Sequence, residues 1–209
     1  MPALTRPARR YLCHAALLTI GLAISGLFYN LLLVELGYDR RGIRLPLADE
    51  TPLLGVLNSL PVLAAALSSL PIWWAVQRIG LRPALIAGAL LHVAALLGVA
   101  LWPTPAPLLL CAALSGPAAV LFQVSAAPFM MRHSRPEERD TLFALNGALI
   151  IGAAGLGSLI GGPLPGVAAN LLGLPPGAPA YRATFAGAAT LVAVAALPLL
   201  LPAEPDGAP

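Results

Sequence analysis

The chain has 209 residues, 58% of them hydrophobic and only 10% charged, with a mean hydropathy of +0.84; soluble domains carry about 25% charged residues. So little polar surface excludes a soluble globular protein. The net charge of +3, built from 12 arginines without a lysine, is no nucleic-acid signal either, because no arginine cluster has aromatic residues interleaved with it.

Charges fall in short patches, and between the patches lie six apolar stretches. Most approach the roughly 20 residues that a helix needs to cross about 30 Å of hydrocarbon. The expected fold class is an all-α integral membrane protein with six transmembrane helices, over about residues 11–37, 52–76, 83–102, 107–131, 142–163 and 183–202. Residues 1–10 then form a cytoplasmic N-terminal segment, 11–202 the membrane domain, and 203–209 a disordered cytoplasmic tail, too polar and proline-rich to fold.

The first stretch follows Arg6, Arg9 and Arg10, as in the charged region of a signal peptide. It runs from Tyr11 to about Gly37, past the about 7–15 residues of a signal's apolar region, and continues beyond the cleavage-like Ala23-Ile24-Ser25. It reads as an uncleaved first helix. A charged loop follows over 38–51, and shorter connections over 77–82, 103–106 and 132–141. A segment rich in proline and glycine, 164–180, separates the last two spans. Cys13 and Cys111 each lie inside an apolar stretch, where a cysteine acts as a small hydrophobe.

Arginine placement predicts orientation. With the N-terminus inside, eight arginines (6, 9, 10, 78, 82, 132, 135, 139) face the cytoplasm and four (40, 41, 44, 182) the outside. That bias favours N-in, and an even number of helices then puts the C-terminus inside too.

The spans differ in polar content. The first carries Tyr29 and Asn30, the second Asn58 and Ser59, the fourth Gln123 and Ser125, the fifth Asn146. The third has only His92, the sixth only Thr184 and Thr190. Amides in hydrocarbon need partners or water, so helices one, two, four and five are expected to share a polar interior, with three and six toward lipid or partner protein. Gly157 and Gly161, one turn apart, suit close helix packing. Pro61, Pro71, Pro117 and Pro128 each remove a backbone donor within a span and can bend it.

Two connections carry recognisable patterns. The first reads Trp73-Trp74-Ala75-Val76-Gln77-Arg78-Ile79-Gly80-Leu81-Arg82. It resembles the signature loop of the major facilitator superfamily, in which a glycine leads, four residues on, to Asp-Arg-x-Gly-Arg-Arg/Lys. Arg78, Gly80 and Arg82 match; Gln77 stands where the family has its aspartate, and Trp73 where it has the leading glycine. Glutamine can still accept a hydrogen bond but cannot hold a charge-based latch. The resemblance assigns Gln77, Arg78, Gly80 and Arg82 to gating or anchoring; plain positive-inside anchoring explains the two arginines equally. The second connection, Ser134-Arg135-Pro136-Glu137-Glu138-Arg139, is similar to the Pro-Glu-Glu-Arg loop of bacterial members. Its Ser134 and Glu137 have capping-box spacing, which predicts a short helix.

The resemblance implies one six-helix half of that fold, whose helices one, two, four and five line the cavity. Asn30, Asn58, Gln123 and Asn146 are accordingly the substrate-cavity candidates, although for each taken alone the role of interhelical hydrogen-bond partner is favoured over that of substrate ligand. A complete transporter of this family has two such halves. The unit is therefore expected to be a truncated or split frame, to pair with a separate second six-helix half, or to act as a homodimer; of these, truncation is favoured.

No catalytic residues, metal ligands or cofactor site are expected. His14, His92 and His133 are scattered, no carboxylates pair within a span, and no glycine-rich phosphate cradle occurs. The expected function is transport of a small solute by alternating access in a bacterial inner (plasma) membrane, with the bilayer and the solute as partners. The alternative is a non-transporting scaffold or assembly subunit.

Overall fold

The computed structural model describes residues 4–45 and 48–201, of which 43–45 and 48–50 by their backbone alone. The elements run α1 (Arg6–Glu35), β1 (Gly42–Leu45), β2 (Ala48–Pro52), α2 (Leu53–Ile79), α3 (Leu81–Leu101), α4 (Pro105–Arg132), a 3-10 turn (Pro136–Glu138), α5 (Arg139–Gly161), α6 (Leu164–Leu172) and α7 (Ala178–Leu200). All the helices except α6 are long and apolar enough to cross a membrane, which gives six spans among the described residues.

Local chemistry explains most of the boundaries. α1 starts at Arg6, ahead of the expected span, because the Thr5 hydroxyl accepts from the Ala8 amide and Pro7 sits in the first turn, where its missing N–H costs nothing. Its 30 residues make about 45 Å of helix, longer than the roughly 30 Å of hydrocarbon it would cross. α2 and α3 are separated by Gly80 alone, at φ +91°, a conformation that side chains resist.

Three local expectations are corrected. Gly42–Leu45 and Ala48–Pro52 pair as the antiparallel strands of a hairpin, Gly42 with Pro52 and Ile43 with Thr51, where a loop was expected. The proline- and glycine-rich segment contains α6, which Pro165 helps to start and Gly173, at φ +62°, closes. Ser134 and Glu137 form no capping box: the Ser134 hydroxyl donates to Met130 O at the end of α4, so a single 3-10 turn leads into α5. The expected tail, 203–209, lies outside the described residues.

The helices form an open arc. Extensive packing runs α5–α1–α7–α3–α4–α2, while α1 with α2 and α4 with α5 touch only slightly. Swapping α1, α2, α3 for α4, α5, α7 maps this order onto itself, and α1 and α4 run in opposite directions. The unit is thus an inverted pair of three-helix repeats. The end helices are seated by glycines. On α5, Gly157 meets Ile20 and Ala23 of α1, and Gly161 meets Ile24 and Leu27. On α4, Gly116 receives Pro61, Ala64 and Ala65 of α2. α3 and α7, in the middle of the arc, are covered on both flanks. The largest core cluster lies where they meet α1 and α4, with Leu32, Val99, Leu108, Phe185 and Val192.

The polar spans therefore do not enclose a sealed interior. α1 and α4 meet through side chains, with Tyr11 stacked on Phe122 and Phe129, and α2 and α5 are the edges. Leu70 of α2 and Ile151 of α5 are 78% and 77% exposed, which marks both edges as uncovered.

Candidate functional site

A cavity of about 340 Å³ opens in the concave side, toward the end that carries the hairpin. α1 contributes Ser25, Tyr29 and Asn30, and α2 contributes Leu57, Asn58 and Pro61. Its remaining walls include His92, Leu96 and Val99 of α3, Cys111 and Ser115 of α4, and Phe185 of α7. Among the described residues, no Asp, Glu, Arg or Lys lines it.

Hydrogen bonding divides the polar atoms into engaged and available ones. Asn58 Nδ2 donates to Asn30 Oδ1 at 2.9 Å and to Leu54 O at 2.9 Å, tying α1 to α2. Ser25 and Ser115 donate to carbonyls of their own helices, Leu22 O and Cys111 O. His92 Nδ1 lies 3.1 Å from Gly88 O. A carbonyl only accepts, so Nδ1 carries the proton and, in the neutral ring, Nε2 is left as an acceptor. Tyr29 packs its ring against Phe185 at 6.3 Å.

The structure thus brings together Asn30 and Asn58 and leaves Gln123 and Asn146 out of this cavity. Gln123 is exposed on α4. Asn146 is half-buried on α5, with Oδ1 buried and without a partner. The parallel contact of α5 with α1 sets Asn146 level with Tyr11, near the opposite end. Tyr11 Oη, His14 Nε2 and Ser125 Oγ are likewise buried without a partner, and His14 Nδ1 is held by Ala195 O at 2.7 Å.

In the α2–α3 connection, the Arg78 guanidinium lies 3.5 Å over the Trp74 ring and Gln77 is exposed. Arg82 turns the other way, donating to Leu199 O and Leu201 O at the C-terminal end of α7. Arg182, near the start of α7, donates to Ala100 O and Leu101 O at the end of α3. Each helix of this antiparallel pair thereby caps its neighbour, placing a cation on orphan carbonyls.

Three residues escaped the sequence reading as site residues: His92, Tyr29 and Arg182. The available signal for His92 was its solitude, since an ionisable residue in an otherwise apolar span is a functional pointer in itself. Read for helix averages, it instead placed the third span toward lipid; the imidazole is 7% exposed and lines the cavity.

The family model for the Major Facilitator Superfamily matches residues 11–209. No curated protein matches the chain.

Proposed function

The chain belongs to the major facilitator superfamily, a family of membrane transporters, and on that premise we propose that its six-helix unit moves a small solute by alternating access, with the concave cavity as part of the solute's path. The observation that carries this reading is the cavity itself: about 340 Å³ of space beside an amide pair that bridges two helices otherwise barely in contact. A bundle built only to pack would close that gap with apolar side chains.

The arginine bias, eight against four, supports an orientation with the N-terminus of α1, the α2–α3 turn and the end of α7 in the cytoplasm. The hairpin and the mouth of the cavity then face outward, in a cell (inner or plasma) membrane. On this reading residues 1–10 and 203–209 are cytoplasmic, and 11–202 form the membrane domain. The open face between α2 and α5 is covered by a second six-helix half or by a homodimer partner.

Thiol labelling tests the reading. In a chain with Cys13 and Cys111 replaced, single cysteines at Asn30, Asn58, Gln123 and Asn146 are treated in membranes with polar thiol reagents. The exposed Asn30 and Asn58 positions are expected to react fastest and the half-buried Asn146 position slowest. Protection of all four in the folded protein overturns the transport reading in favour of a scaffold subunit.

A further inference from the structure

We propose that the cavity between α1, α2, α3, α4 and α7 binds an uncharged amphipathic solute, one that joins an apolar body to hydroxyl- or amide-type groups. The inference rests on reading this cavity as the solute's, and it adds the solute's chemical class.

The described walls disfavour charge. No lining residue among the described ones carries a formal charge, so an ion entering the cavity exchanges its hydration for these neutral walls and finds no counter-charge on them. A carboxylate-bearing or ammonium-bearing solute is disfavoured alike.

Polar recognition is supplied by atoms with no hydrogen-bond partner among the described residues. Asn30 uses Oδ1 to accept from Asn58, which leaves its Nδ2 as a donor. Asn58 uses Nδ2, which leaves its Oδ1 as an acceptor. His92 Nε2 adds an acceptor from the opposite wall, and the Tyr29 hydroxyl can serve in either role. Donors and acceptors on several walls match a ligand that carries both, as hydroxyls and primary amides do. The rest of the surface is apolar, with Leu57, Leu96 and Phe185 available to a hydrocarbon or ring body. The volume falls at the lower end of the ~300–1,000 Å³ range of small-molecule sites, enough for a body about the size of a single ring with substituents.

Cys111 lies on the cavity wall and reports on what enters. In a Cys13→Ser chain it is the sole thiol, and three methanethiosulfonates act as probes: 2-hydroxyethyl, 2-sulfonatoethyl and 2-(trimethylammonium)ethyl. In each case the thiolate attacks the sulfenyl sulfur, a disulfide forms and methanesulfinate leaves. Access as far as the mouth is measured with the same reagents on Asn30→Cys in a chain lacking both native cysteines, because Asn30 is exposed. Each rate at Cys111 is divided by that reagent's rate at the mouth.

The expected result is a normalised rate for the hydroxyethyl reagent at least tenfold above both charged ones. In Asn58→Asp, which places a carboxylate on the wall at nearly constant shape, the trimethylammonium rate at Cys111 is expected to rise at least tenfold. Equal normalised rates for all three reagents overturn the uncharged class while leaving a solute cavity. Failure of the neutral reagent at Cys111, with normal labelling at the mouth, overturns the site. Failure of every reagent at Asn30→Cys overturns this proposal; the transport reading falls with it only where the Asn58, Gln123 and Asn146 positions are protected as well.

Discussion

Gly116 decides how close α2 can come to α4. A Cβ built there lies 2.6 Å from the Ala65 amide nitrogen and 2.9 Å from the Ala64 Cβ, and backbone cannot yield as a flexible side chain would. Gly116→Val is therefore expected to lower thermal stability in detergent by about 1–3 kcal/mol, the usual cost of overpacking. Gly155, with nothing within 4 Å of its added Cβ, is the control: Gly155→Ala is expected to hold or raise stability, since alanine is the better helix former. Equal behaviour of the two variants would contradict the close α2–α4 contact. Polar atoms follow the same logic. Tyr11 Oη is buried and unpartnered, so Tyr11→Phe removes no protein hydrogen bond and is expected to leave the melting temperature unchanged or higher. At this scale the site was half legible. Amides stand out in apolar sequence, which exposed Asn30 and Asn58. A lone His92 says that a polar group is present but not which way it points, because a helix apolar all round carries no inward stripe to orient it.

Among the elements, α3 and α7 depend on each other. Arg82 at one end and Arg182 at the other place guanidinium donors on the partner's terminal carbonyls. Hydrogen bonds to charged groups contribute about 1.5–3 kcal/mol when buried; both arginines are partly exposed, and solvent screening reduces that to about 1 kcal/mol each. Arg82→Gln and Arg182→Gln are each expected to lower unfolding free energy by that amount, and the double variant by the sum, because the sites lie at opposite ends of the bundle. A marked departure from additivity in denaturant titrations would show that the caps are not independent. The helices themselves were legible, since apolar run length alone separates a span from a connection. The hairpin and α6 were not. In the hairpin, charged residues fill a strand pair that shows no clear apolar alternation, and in α6 prolines and glycine mark the ends of a helix as readily as they mark a loop. Arg182 was counted only toward charge balance, because its partners lie 81 and 82 positions away in sequence.

For the whole molecule, the arc explains why α2 and α5 are the least covered spans. Each packs extensively on a single neighbour, α4 or α1. The outer surface of such an arc can rest against lipid, but the amides of Asn30, Asn58 and Gln123 are also exposed, and amides facing hydrocarbon are costly. A second helical body that closes the concave side over a water-filled path removes that cost. If the body is related by an axis along the membrane normal, its own edge helices meet α2 and α5. Leu67 of α2 and Ile151 of α5 both sit near mid-helix and are 72% and 77% exposed. In a chain without native cysteines, Leu67→Cys with Ile151→Cys is expected to give a cross-linked product in native membranes with a short bis-maleimide. A product of twice the chain's mass identifies a second copy, and any other mass identifies a separate half. Absence of a product, while both cysteines react with a monofunctional maleimide, would mean that the edges face lipid and that the amides are satisfied within one arc.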